Sequence, residues 1–239
     1  MKNSYQAQKV IEEVIKEKPK ARWLFLTLST RNVIDGEHLE QSLKHMSKAF
    51  NKLKMYTKVK KNLIGFMRST EVTVNKNDGS YNQHMHVLLC VESAYFKKQG
   101  QYIKQREWID LWQKVLQVNY RPVANIKAIK PNQKGDKDIE AAIKETSKYS
   151  VKSSDFLTDN AERNQEIVSD LEKGLYRKRM LSYGGLLKQK HKILNLDDAE
   201  DGNLINTSDE DKTTVEEEKA HSITAIWNFE KQNYYLRHQ

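Results

Sequence analysis

The stretch LIGFMRSTEVTVNKNDGSYNQHMHVLLCV, residues 63–91, predicts two long strands joined by a tight turn. Both halves are rich in apolar and β-branched side chains, and the Asp78-Gly79 pair between them is typical of hairpin loops. On a strand, side chains two residues apart point to the same face of the sheet. His84 and His86 therefore lie side by side, at a separation that one divalent cation can bridge.

The remaining elements surround this hairpin in a simple order. Apolar residues at helical or strand spacing predict each of them. The sequence predicts strands at 22–30, 63–74, 81–91 and 123–129, helices at 5–18, 39–53, 108–116 and 138–150, and then helices at 165–174 and 186–194 around a short strand at 178–183. The central order β-α-β-β-α-β predicts an α+β fold, an antiparallel sheet in the ferredoxin-like or RRM-like arrangement, with helices on one face and the other face free.

Charge divides the chain into a basic body and an acidic linker. The net charge is +9, but residues 197–218 contain ten acidic side chains and a single lysine. The rest of the chain therefore carries a net charge of +18, which favours a polyphosphate partner. We predict a functional domain at 1–196, a flexible acidic linker at 197–218 and a C-terminal aromatic segment at 219–239, which is either a docked helix or an interaction segment.

Two features of the composition bear on where the protein works. No apolar run approaches the roughly 18 residues that a membrane span needs, and the N-terminal stretch is charged and amphipathic, unlike a signal peptide. Cys90 is the single cysteine, so no intramolecular disulfide can form, and its place in a predicted strand favours a core position. We therefore expect a cytoplasmic protein without a membrane partner.

A carboxylate in the preceding strand completes a candidate metal site. Glu71 alternates with Thr70 and Val72 in the strand that pairs with the two histidines, so its side chain is expected on their face. Two imidazoles and one carboxylate give three ligands, with open positions for water or phosphate. The predicted ligands of a divalent ion, Mn²⁺ or Mg²⁺ with Zn²⁺ also compatible, are therefore His84, His86 and Glu71.

A second group of reactive side chains follows in the helix predicted at 138–150. Tyr149 is a candidate nucleophile, whose hydroxyl has an ordinary pKa of about 10 and needs a cation, a base or a polarised phosphate to attack at neutral pH. Glu145 lies one helical turn earlier, where a carboxylate can activate water. Lys152 lies three residues after Tyr149 on the same predicted helical side, where it could stabilise phenolate or transition-state charge.

Five segments of the chain, taken in order, resemble one family of proteins. They are FLTLST at 25–30, EVTVNK at 71–76, QHMHVLL at 83–89, WIDLW at 108–112 and ETSKYSVK at 145–152. Together they are similar to the replication initiator (Rep) proteins of small rolling-circle plasmids of Gram-positive bacteria, which belong to the His-hydrophobic-His (HUH) endonuclease superfamily. The resemblance is specific, because order, spacing and local context agree.

The resemblance implies a metal-dependent, site- and strand-specific nick at a plasmid double-strand origin. Tyr149 would become linked to the 5′-phosphate, and the freed 3′-OH would prime leading-strand synthesis. Glu145 would activate water for termination, while His84 and His86 would hold the metal ion. The family also implies recruitment of a host helicase and DNA polymerase. Related initiators often carry a cysteine-containing basic segment before the first motif, and this sequence has no cysteine before Cys90, so we expect a short form or a fragment.

Other functions fit parts of the same pattern. A single-tyrosine transposase of the superfamily also places its tyrosine after the histidine pair, but it is usually shorter and does not need Glu145. A conjugative relaxase normally has its tyrosine before the histidines. A non-catalytic module could bind single-stranded nucleic acid by base stacking on an open sheet. Against this last reading, Trp23, Trp108 and Trp112 are expected in the core.

Overall fold

The computed structural model describes residues 2–129, 137–147, 151–152, 160–196, 205–206, 225–228 and 233–236. The chain divides into two compact units, Met1–Thr207 and Ser208–Gln239. Apart from residues 205–206, the predicted acidic linker at 197–218 lies outside the described residues. The domain boundaries that we placed at 196 and 218 therefore stay predictions.

The first unit contains every predicted element in the predicted order, together with two short helices and two two-residue strands that we did not predict. The helices are α1 (Lys2–Glu17), α2 (Gly36–Met55), α3 (Thr57–Asn62), α4 (Ala94–Lys97), α5 (Gln105–Leu116), α6 (Lys137–Thr146), α7 (Ala161–Leu175) and α8 (Leu186–Ile193). The strands are β1 (Arg22–Ser29), β2 (Leu63–Val74), β3 (Tyr81–Val91), β4 (Val123–Ile129), β5 (Val151–Lys152), β6 (Leu181–Gly185), β7 (Ile205–Asn206), β8 (Ala225–Asn228) and β9 (Asn233–Leu236).

Five strands form one antiparallel sheet in the order β4-β1-β3-β2-β6. The first four strands of this order are those of the split β-α-β-β-α-β core, in which each crossover helix joins two strands that have a third strand between them in the sheet. The predicted α+β fold with its antiparallel sheet is therefore confirmed. β6 extends the sheet beyond the core and pairs with β2 along the outer edge.

The hairpin of β2 and β3 is built as its turn residues predict. Gly79 adopts a positive φ of 70°, which a residue without a Cβ tolerates, and its N–H donates to the Asn75 carbonyl at 2.7 Å. The Asp78 carboxylate accepts hydrogen bonds from the Ser80 N–H and hydroxyl at 2.9 and 2.6 Å. These contacts fix the loop, and the loop in turn fixes the register in which β2 and β3 pair.

One face of the sheet packs against α2 and α5. Alternate residues of β1 and β3 meet the apolar stripes of both helices, and Trp112 of α5 also donates from Nε1 to the Ser29 carbonyl at 3.0 Å. This core contains Leu24, Leu26, Leu28, Met85, Val87, Leu89, Met46, Phe50, Trp108 and Trp112. The predicted core positions of Trp108 and Trp112 are confirmed.

The second face is divided along its length into an apolar and a polar half. Helices outside the split core, α1, α6 and α8, cover the apolar half, so this face is not free over its whole length as we had expected. Their core contains Val10, Ile11, Ile139, Ile143 and Leu187 with Trp23, Met67, Leu88, Cys90 and Ile129. The predicted burial of Trp23 and Cys90 is confirmed. The polar half, towards Glu71 and His84, is the part of this face that these helices leave for chemistry.

The segments after the core differ in part from the sequence predictions. The two late helices and the strand between them are confirmed, with β6 displaced by a few residues from the predicted 178–183. The alternative of a docked helix in the C-terminal aromatic segment is wrong for the residues described there, because β8 and β9 pair as an antiparallel hairpin. In the part of the chain that the structure describes, every helix is too short or too polar to cross a membrane.

Candidate active site

The central hairpin brings Glu71 and the histidines together. In the register of β2 and β3, Glu71 faces His84 and Ser69 faces His86. Glu71 Oε2 lies 3.0 Å from His86 Nε2, and the two side chains keep only 17% and 10% of their surface exposed. The predicted place of Glu71 on the histidine face is confirmed. Its role as a metal ligand stays a prediction.

Glu145 reaches the same point from a helix. Ile139 and Ile143 of α6 are buried against the apolar half of the sheet, which leaves Glu145, at the C-terminal end of the helix, half-buried over the polar half. Ligand atoms of Glu71, His86 and Glu145 all lie within 4.8 Å of one another. One imidazole and two carboxylates form a mixed nitrogen and oxygen set that suits Mn²⁺ or Mg²⁺. The residues present therefore fit a divalent ion.

His84 lies beside this cluster. Its ring centroid is 6.2 Å from that of His86, and the two rings are nearly parallel. Burial lowers the pKa of His84, neighbouring His86 lowers it further, and Glu71 acts in the opposite direction. A lowered pKa keeps the imidazole neutral at physiological pH, which is the form that binds metals. The sequence predicted His84 as a ligand, and that role stays a prediction.

The second nitrogen of His86 is held by β1. Thr27 pairs with His86 across the two strands, and its Oγ1 lies 3.3 Å from Nδ1. The ring of Phe25 stacks on the His86 imidazole with centroids 5.7 Å apart. A hydroxyl can accept from or donate to Nδ1, so Thr27 can serve either tautomer of the ring. Such contacts fix the direction in which Nε2 points and raise the precision of a metal site.

A groove of about 380 Å³ opens beside the cluster, between β4 and α6. Its walls combine an aromatic ring, an amide, an ammonium group and small apolar side chains. The lining residues are Phe25, Thr27, Asn125, Lys127, Ile129, Ala141, Ala142 and Glu145. The groove therefore shares Thr27 and Glu145 with the surroundings of the metal candidates, and it offers an aromatic face and polar groups to a ligand bound there.

The sequence matches one protein family over almost its whole length. That family is described as replication proteins, and its model matches residues 1–235. The chain belongs to this replication protein family. The resemblance to Rep proteins that the five segments indicated is therefore confirmed.

Curated members of the replication protein family from several Gram-positive bacteria are similar to the chain. A replication protein of Staphylococcus aureus is 53% identical over 237 residues, which cover 99% of this chain and 100% of that protein. A replication protein of a Bacillus species has the same identity and coverage. A Protein rep of Lactiplantibacillus plantarum is 50% identical over 99% of this chain and 75% of its own length. A comparison with solved structures gave no match.

The predicted nucleophile Tyr149 lies outside the described residues. The described part of α6 ends at Thr146, so the expectation that Glu145 and Tyr149 share one helical face is not tested. Lys152 lies in the two-residue strand β5, which pairs in parallel with β7. Our placement of Lys152 on a helix one turn after Tyr149 is therefore wrong, because the backbone is already extended there. The charge-stabilising role of Lys152 stays a prediction.

Sequence reasoning missed part of the site. We gave Glu145 only the activation of water, whereas the fold also places its carboxylate within reach of a metal held by Glu71 and His86. Asn125 and Lys127 of the groove were not singled out, although they alternate on β4, which was predicted as a strand. That alternation could have placed both on one face, but it could not have shown that α6 covers them.

Proposed function

We propose that the protein is a rolling-circle plasmid replication initiator, a metal-dependent endonuclease and strand transferase that nicks one strand of a double-strand origin. The observation that carries this proposal is the Glu71–His86–Glu145 cluster on the polar half of the sheet. Tyr149 follows Glu145 by four residues, which span at most about 14 Å even when fully extended. The covalent connection alone therefore keeps the candidate nucleophile near the cluster. Membership of the replication protein family favours this function over a transposase or a non-catalytic binding module.

The site residues divide the work of phosphodiester exchange. Glu71, His86 and Glu145, with His84 beside them, would hold the divalent ion, which supplies positive charge to the scissile phosphate when it is bound. Tyr149 attacks the phosphorus: a tyrosyl oxygen–phosphorus bond forms and the bond from phosphorus to the 3′-oxygen breaks. The phenolic proton is lost to solvent or a nearby base, and the released 3′-oxygen takes up a proton. The 3′-OH can then prime synthesis.

Termination requires a second cut without a lasting protein–DNA bond. A carboxylate near the metal can accept a proton from water as water attacks the phosphate. Glu145 is suited to this step because its side chain is only half-buried and lines the groove. Lys152 would stabilise negative charge on the tyrosyl oxygen or the phosphate. DNA is the partner that family membership implies, and a host helicase and polymerase would follow at the exposed 3′-OH.

A covalent adduct assay tests the proposal. The protein is incubated with supercoiled plasmid carrying its own origin, with and without Mn²⁺, and separated in SDS. We expect a protein–DNA band that requires the metal and is lost in Tyr149→Phe. Tyr176→Phe is the matched control, because Tyr176 is exposed on the surface after α7 and its adduct yield should equal that of the wild type. A nick without an adduct would make water the attacking group and overturn the nucleophile assignment.

Glu145→Gln tests whether Glu145 binds the metal ion as well as activating water. If Glu145 contributes to metal binding, the neutral amide should weaken Mn²⁺ binding at least about tenfold and slow adduct formation at low Mn²⁺, with recovery at high Mn²⁺. Isothermal calorimetry with Mn²⁺ and the adduct assay over a Mn²⁺ series measure both effects. Glu140→Gln removes the same charge from an exposed position of α6 and should change neither. Unchanged Mn²⁺ affinity in Glu145→Gln would restrict this residue to water activation.

A further inference from the structure

Arg68 is a buried cation on the other face of the sheet. It precedes Glu71 by three residues on β2, so the two side chains point to opposite faces. Arg68 keeps 8% of its surface exposed, and its buried Nε has no hydrogen-bond partner among the described residues. A charged side chain is rarely buried to this extent with a donor that lacks an acceptor, because removing it from water is costly.

Two further cations lie next to Arg68. Lys54, in the last turn of α2, places its Nζ 4.6 Å from the ring centroid of Phe66 and 5.4 Å from that of Phe50. The Arg68 Cζ lies 5.6 Å from the same Phe50 centroid, so the two cations share one aromatic side chain. Arg179, two residues before β6, acts on Arg68 as a third positive charge. We call this group the Lys54–Arg68–Arg179 cluster.

The charges of the Lys54–Arg68–Arg179 cluster repel one another. Burial lowers the pKa of Arg68, and Arg179 lowers it further. Burial also lowers the pKa of Lys54, and Arg68 adds to that effect. No carboxylate of the described residues counteracts the shift of Arg68 or Lys54.

Aromatic faces offset only part of this cost. A cation over a phenylalanine ring gains a modest electrostatic attraction, which is larger when the cation is desolvated. The ring offers no hydrogen-bond acceptor to the guanidinium, so the Nε of Arg68 stays without a partner in the described part of the chain. An anion that reached Arg68 and Lys54 would supply an acceptor for the guanidinium and a negative charge beside these two cations.

We propose that the Lys54–Arg68–Arg179 cluster binds a phosphate group of the DNA backbone, as a second contact on the face of the sheet opposite the Glu71–His86–Glu145 cluster. The planar guanidinium fork of Arg68 fits a phosphate, and Lys54 adds a mobile point charge. The choice of DNA as the source of the phosphate rests on the proposed function. The DNA would then touch both faces of the sheet around its β6 edge.

Lys54→Gln is the variant that tests this site. It removes one charge of the cluster while a side chain of similar length still covers Phe50 and Phe66, so the fold is kept. Lys52→Gln is the matched control, because it removes the same charge from an exposed position on the same helix. In a buffer without multivalent anions, we expect Lys54→Gln to raise the melting temperature by about 2–4 °C, since it relieves repulsion, and Lys52→Gln to leave it unchanged.

Two titrations then identify the ligand. Inorganic phosphate should raise the melting temperature of the wild type and of Lys52→Gln more than that of Lys54→Gln. Binding of origin duplex is measured in EDTA, so that no cleavage occurs, over a range of KCl concentrations. The slope of log K against log[KCl] should be less steep by about 0.9 in Lys54→Gln than in the wild type, which is the value for one lost phosphate contact. The slope of Lys52→Gln should equal that of the wild type.

Each contrary result is decisive. A lower melting temperature of Lys54→Gln would mean that a carboxylate of the chain already neutralises the cluster, which overturns the site. The three proteins could have equal salt slopes while inorganic phosphate still raises the melting temperature of the wild type and Lys52→Gln more than that of Lys54→Gln. That result would assign the site to free phosphate instead of DNA. Cleavage of a short single-stranded origin oligonucleotide with Mn²⁺ is measured in parallel. If that cleavage is absent in the wild type, the proposed reaction fails, while the salt slopes still decide the phosphate contact.

Discussion

His86→Ala is expected to reduce metal-dependent nicking by at least about a hundredfold and to abolish Mn²⁺ binding in calorimetry. His86 is the one imidazole in the Glu71–His86–Glu145 cluster, and its Nε2 lies 3.0 Å from Glu71. Removing it leaves the two carboxylates of the cluster with His84 beside them. These groups would hold an ion without a fixed geometry and too weakly for calorimetry to detect, so the scissile phosphate would lose its polarising charge.

The control for this variant is another histidine. His38 is exposed at the start of α2 and contacts Asp35 instead of the site, so His38→Ala should nick DNA at the wild-type rate. Thr27→Val provides an intermediate case, since it removes the hydroxyl 3.3 Å from His86 Nδ1 but no ligand. We expect Thr27→Val to nick DNA about tenfold more slowly than the wild type. Wild-type activity in His86→Ala would show that the ion is held elsewhere.

Trp112→Ala is expected to destabilise the fold by about 3–5 kcal/mol. Trp112 is completely buried between α5 and the sheet, and its Nε1 donates to the Ser29 carbonyl at 3.0 Å. Alanine would leave a large cavity and would also remove the donor of a buried carbonyl at the end of β1. Urea unfolding followed by circular dichroism measures the change in the free energy of unfolding.

Trp112→Phe separates the cost of the cavity from the cost of the lost hydrogen bond to Ser29. Phenylalanine keeps most of the apolar volume and loses the hydrogen bond, so its cost should be clearly smaller than that of alanine. The two variants test whether packing or the Ser29 contact dominates. A loss below about 1 kcal/mol in Trp112→Ala would contradict the assignment of α5 to the main core.

The central hairpin could be predicted from the sequence because its determinants are local. Alternation of apolar and polar residues fixes which side chains share a face, and Asp78-Gly79 fixes where the chain turns. These two facts were enough to place Glu71 on the same face as His84 and His86. The split β-α-β-β-α-β order followed from the same kind of periodicity, and the strand order of the sheet agrees with it.

The rest of the site depends on contacts that no local pattern encodes. The approach of Glu145 to His86 results from the packing of α6 on the apolar half of the sheet, and helical periodicity shows only that α6 has an apolar side. The same limit explains why we expected a free second face, since periodicity does not say which sheet a helix covers. The assignment of Lys152 to a helix failed because the predicted periodicity was extended past Thr146, where the described helix stops.

The short loop between β2 and β3 has a consequence for biosynthesis. Glu71 and His86 are separated by 15 residues, so their half of the site closes with little loss of chain entropy once the hairpin has formed. α6 follows only after β4, and Tyr149 leaves the ribosome later still. A nascent chain would therefore possess the histidine and carboxylate pair of the proposed metal site before it possesses the proposed nucleophile, and the proposed strand scission would become possible only after Tyr149 has been translated.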